Sequence, residues 1–74
     1  MKNKESSHDR FKRLAMSRTN AVIKNLRSLA KLSNSRRYQY NKNEIDKIFR
    51  AIQNEQKISK AMFDKNLNKK KFEL

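Results

Sequence analysis

The sequence predicts an all-α protein, an antiparallel two-helix hairpin, on three observations. Apolar residues recur at spacings of three and four along two separate stretches, the period of one helix face. Neither Gly nor Pro occurs anywhere in the 74 residues, so the common helix breakers are missing. A capping signature at Asn41 marks a fresh helix start in the middle of the chain.

The first predicted helix covers residues 7–33. Phe11, Leu14, Ala15, Val22, Leu26, Leu29 and Ala30 share one face. Ser6 or Ser7 is the expected N-cap, because a hydroxyl there accepts from an orphan N–H. Asp9 stands where a capping-box carboxylate would sit, at the positive end of the helix dipole. Asn34 is the expected left-handed residue after the last turn, since Asn tolerates that conformation best after Gly.

The second predicted helix covers residues 42–68, after a turn over 34–41. In "YNKNEI", Asn41 is the N-cap and Glu44 the third helical residue of a capping box. Tyr40 and Ile45 then occupy the two positions of a hydrophobic staple. Asn43 with Asp46 is a competing cap two residues on. Ile45, Ile48, Phe49, Ile52, Phe63 and Leu67 line one face, interrupted by Gln56 and Ser59. Residues 1–6 are expected to be a disordered basic start and 69–74 a frayed basic tail.

A two-helix hairpin has one interface and leaves apolar residues over. Val22 and Ile23 cannot both face one partner helix, and Ile58 and Met62 lie off the main face of the second. Such strips usually mark a surface to be covered. Homodimerisation into a four-helix bundle or docking on a larger partner would complete the fold.

Charge narrows the function. Twenty Lys+Arg stand against seven Asp+Glu, a net +13, which favours polyanionic partners. Lys and Asn are both abundant, and an AT-rich genome raises both through its codons. The distribution of arginine is harder to explain that way. Six of the seven arginines lie between residues 10 and 37, and no carboxylate occurs from Arg10 through Asn43. At 100° per residue, Arg13, Asn20, Lys24, Arg27 and Lys31 form a stripe opposite the first apolar arc. Cations at about one-turn intervals suit a phosphate backbone. Ordinary solvated helices mix both signs, which is the better reading of the second stripe, Lys47, Arg50, Asn54 and Lys57.

The turn itself holds Arg36, Arg37, Tyr38 and Tyr40, the one basic-aromatic cluster. Arg planes and Tyr rings stack on exposed bases, and Arg bridges phosphates. Tyr40 serves the staple. The expected nucleic-acid-binding residues are therefore Arg13, Lys24, Arg27, Lys31, Arg36, Arg37 and Tyr38. Arg18 falls inside the apolar arc, where it must snorkel, pair with a carboxylate such as Glu55, or mark a contact surface.

Other classes find little support. There is no Cys and one histidine, His8, so neither a disulfide nor a metal cluster is expected. The acids sit at helix starts or alone, which offers no acid–base pair for catalysis, and no cofactor is implied. No apolar run approaches the roughly 20 residues of a membrane span, and "MKNKESSHDR" lacks the apolar core of a secretory signal. A DNA-binding helix-turn-helix needs a third helix and a shorter turn. A ribbon-helix-helix dimer needs an N-terminal strand.

In composition and architecture the chain resembles the small, basic, all-helical proteins of the bacterial ribosome, which embed helical hairpins in folded RNA. The resemblance carries no residue roles with it. The expected protein is a non-enzymatic, cytoplasmic nucleic-acid binder that takes RNA or a ribonucleoprotein in preference to duplex DNA. The alternative is a protein-interaction module that docks on and regulates a larger protein, itself one that handles nucleic acid. A membrane-surface helix is the weakest reading, for want of Trp and because two capped helices with complementary faces suggest self-packing.

Overall fold

The computed structural model describes residues 4–68. The expected disorder of residues 1–3 and fraying of 69–74 lie outside the described residues. The protein is all-helical: the described residues form two α-helices and one 3-10 turn, with no strand. The chain divides into two units, Met1–Gln39 and Tyr40–Leu74.

The first unit is built on α1, Ser7–Ala30. Lys4–Ser6 lead in without helical structure, and Ser6 is the N-cap, with extended backbone at φ −69° and ψ 163°. Its hydroxyl accepts from the Asp9 N–H at 3.0 Å, satisfying one of the donors that a helix start leaves open. Asp9 places a carboxylate in the first turn, and Arg27 places a cation in the last. Both complement the helix dipole. The helix ends by tightening. Lys31–Ser33 form a 3-10 turn, and the Lys31 N–H shares the carbonyls of Arg27, Ser28 and Leu29.

Asn34 departs from the sequence-based expectation. It is not left-handed but extended, at φ −66° and ψ 100°, and no described residue has positive φ. A left-handed exit is one way to satisfy the last helical carbonyls. Here the 3-10 winding does that work within the chain's ordinary backbone regions, and Asn34 is left to organise the turn that follows.

The second unit is built on α2, Lys42–Leu67. Of the two competing caps, Asn41 prevails. Its side chain accepts from the Glu44 N–H at 2.8 Å, and the Glu44 carboxylate accepts from the Asn41 N–H at 3.0 Å, which closes the capping box. That register puts Tyr40 and Ile45 at the staple positions; Ile45 is half-buried. Lys42–Asp46 and Lys60–Asp64 are ion pairs one turn apart, at 3.0 and 3.2 Å. Both are exposed, so each adds a few tenths of a kcal/mol at most. The Asn66 side-chain amide donates to the Met62 carbonyl at 2.9 Å, within the last turn.

No described side chain is buried. In α1, Leu14, Ala15 and Leu29 are half-buried on the apolar arc, and in α2, Ile45 and Ile52 are so on theirs. Phe11, Val22, Met62 and Phe63 are all more than half exposed. Arg18, inside the apolar arc of α1, is exposed, so the penalty of a buried charge does not arise there. Among the described residues, no helix is long and apolar enough to cross a membrane.

Candidate nucleic-acid interface

The turn between the helices is organised by one residue. The Asn34 side-chain oxygen accepts from the Arg36 N–H at 3.1 Å. Its backbone carbonyl accepts from the Arg37 N–H at 3.1 Å and from the Tyr38 N–H at 3.0 Å. The first contact is an Asx-turn, and the others close a β-turn and an α-turn on the same carbonyl. Three consecutive N–H groups thus converge on Asn34, and they belong to three of the expected contact residues. This is how the chain turns without Gly or Pro. It also uses a neutral acceptor where Asp would serve as well locally, so no carboxylate enters the basic stretch.

With the backbone so tied, the side chains of residues 36–38 project from a closed turn. The Arg37 guanidinium lies over the Tyr38 ring, 5.8 Å from its centroid, within the range of a cation–π contact. Tyr38 remains 41% exposed. Arg36 and Arg37 are both exposed.

Lys24 and Arg27 stand three residues apart on α1, and Lys31 caps that helix four residues on. The stripe ends where the 3-10 turn begins, so it leads along the chain into the Arg36–Tyr38 turn. Among the described residues, Lys24, Arg27, Lys31, Arg36 and Arg37 form no ion pair. Part of this pattern has a local cause, since Arg27 in the last turn of α1 complements the helix dipole. The dipole does not account for Lys24 or for the two turn arginines.

Arg13 is placed differently. Its guanidinium grips the Glu5 carboxylate with two bonds, Nε to Oε2 at 2.8 Å and Nη2 to Oε1 at 3.0 Å. The fork that would receive a phosphate is occupied by this chain's own carboxylate. The hydrogen bonds from Arg13, helped by its charge and opposed by desolvation, hold the Glu5 carboxyl below its ordinary value, and Glu5 in turn raises the Arg13 pKa. Sequence reading did not find this pair, because Glu5 lies eight residues away and outside the helix. A signal was available: side chains on a helix lean toward its N-terminus, so Arg13 reaches back over the first turns.

A shallow open depression of about 340 Å³ lies at the start of α2, lined by Asn41, Asn43, Glu44, Asp46, Lys47 and Arg50. Its two carboxylates are already committed, Glu44 to the capping box and Asp46 to Lys42. The described residues hold no group of three His, Cys, Asp or Glu side chains suited to a metal ion. Comparison with known proteins gives no relative: no family model, no curated protein and no solved structure matches this chain.

Proposed function

We propose that this is a non-enzymatic RNA-binding protein of the cytoplasm. Its phosphate contacts are Lys24, Arg27, Lys31, Arg36 and Arg37, with Tyr38 beside them, and Arg13 joins once Glu5 lets it go. The observation that carries this reading is five cations in one acid-free stretch, none paired with a described carboxylate. Folded RNA or a ribonucleoprotein is the preferred partner over duplex DNA. Short basic helices and turns that settle into folded RNA need little core of their own, and no described side chain here is buried.

The finer architecture belongs to the same proposal. The apolar arcs of α1 and α2 pack as an antiparallel hairpin, completed by a second copy or by the partner particle. Light scattering and inter-helix distances from spin labels, with and without RNA, test that arrangement.

Filter binding against salt concentration tests the function. Five phosphate contacts on a single strand predict that log K falls against log salt with a slope of about −3.5. A flat salt response, or no binding to RNA at low salt, ends the proposal.

The exposed apolar side chains support a second reading, a module that docks on a larger protein. Ile23 and Met62 are exposed apolar side chains on the two helices. Under that reading I23E or M62E abolishes the cellular role and leaves RNA affinity intact. Under the first, neutralising the arginines does so.

A further inference from the structure

We propose that the Arg36–Tyr38 turn takes an unpaired nucleotide, its base stacked on the Tyr38 ring and its phosphates held by Arg36 and Arg37. The inference rests on the RNA-binding reading and narrows it to a class of ligand.

Three features of the turn point there. First, the N–H groups of Arg36, Arg37 and Tyr38 all donate to Asn34. They are spent, so this turn is no backbone nest for an anion, and recognition falls to the side chains. Second, those side chains are two guanidinium groups and one ring. An aromatic face recognises a base by stacking, which requires the face of that base to be open. In a duplex the base faces are stacked on each other and only the phosphates are within reach of a convex turn. A duplex can use the arginines but not Tyr38. Third, the turn is set before the ligand arrives. Asn34 fixes the backbone, and Arg37 rests on the Tyr38 ring at 5.8 Å while the ring stays 41% exposed. Pre-set geometry lowers the ordering cost of binding. The nearest carboxylates in sequence are Asp9 and Glu44, so none within the turn competes for the arginines.

The division of labour is then plain. The stripe of Lys24, Arg27 and Lys31 grips any phosphate backbone, and the turn distinguishes unpaired from paired nucleotides. An unpaired nucleotide can belong to RNA or to single-stranded DNA, and the sugar is decided by the test.

The chain has two tyrosines and no tryptophan, so Tyr emission in a Y40F background reports Tyr38 alone. Titrate the full chain with oligouridylate, oligothymidylate and duplex RNA, each about 12 nucleotides long, within the span of a small single-strand site. Stacking predicts quenching of Tyr38 by single strands and not by the duplex. Y38A should lose roughly tenfold in single-strand affinity, the loss expected of one stacked base, with duplex affinity unchanged. Y38F should bind as the parent does. Quenching by both single strands, or by oligouridylate alone, supports the proposal. Single-strand affinity that survives Y38A, or an equal loss on the duplex, overturns it while RNA binding stands. Absence of binding to all three probes at low salt overturns the RNA-binding reading, and this inference with it. Circular dichroism of each variant confirms that the helices are intact.

Discussion

Asn34 and Glu5 set the state of the basic residues around them, and neither is basic. Asn34 gathers three N–H groups, from Arg36, Arg37 and Tyr38. N34A removes the side-chain acceptor and should loosen the turn; single-strand affinity then falls several-fold while helicity is unchanged. N34D keeps the acceptor but sets a negative charge among the arginines, so it should weaken phosphate binding more than its turn geometry would suggest. Glu5 holds Arg13 through two hydrogen bonds. Because the folded-state pKa of Glu5 is depressed, its pairing stabilises the fold above the usual carboxylate pKa. That contribution is lost as pH falls through the lowered value. Over the same acid range the Arg13 fork is released. E5Q should mimic this at neutral pH: RNA affinity rises, and the salt slope steepens by about one phosphate contact, near 0.7 for a single strand.

The helices rest on their caps and periodic faces more than on a core. Both α1 and α2 are long, 24 and 26 residues, so each loss at an end is felt over several turns. N41A removes the side-chain acceptor of the Glu44 N–H, one half of the capping box, and should cost about 1 kcal/mol, read as lost helicity by circular dichroism; N41D should retain most of it. The stripe on α1 makes a separate prediction. K24Q with R27Q should weaken single-stranded and duplex RNA alike and flatten the single-strand salt slope by about 1.4. That uniform loss distinguishes phosphate contacts on the helix from the turn, whose substitution is expected to be selective.

At the scale of the whole molecule, charge and core work against each other. The chain carries +13 over 74 residues, and no described side chain is buried. Self-repulsion of like charges destabilises a compact state and is screened by salt. Added salt should therefore raise the helicity of the free protein while lowering its affinity for RNA, two opposite trends on one axis. Thermal unfolding of the free chain should be broad, since little apolar burial is available to make it cooperative. Bound RNA should sharpen the transition and raise its midpoint by mass action. A sharp, RNA-independent transition would instead indicate that the hairpin is completed by a second copy of the chain and not by RNA.

The sequence by itself determined the helices and their starts. Spacings of three and four, Ser6 before α1 and Asn41 with Glu44 at α2 are all signals carried within one or two turns of chain. Helix hydrogen bonds reach only four residues, so a local pattern suffices. The acid-free stretch with its Lys24, Arg27 and Lys31 stripe is legible for the same reason. What only the three-dimensional structure decided lies off that local code. The Glu5–Arg13 fork spans eight residues and depends on where two side chains meet in space; the Asn34 contacts reach only two to four residues, but its extended rather than left-handed backbone is one of several closures that the same local residues allow. Several arrangements of the same residues satisfy the sequence pattern equally, and only closure of the actual hydrogen bonds selects one.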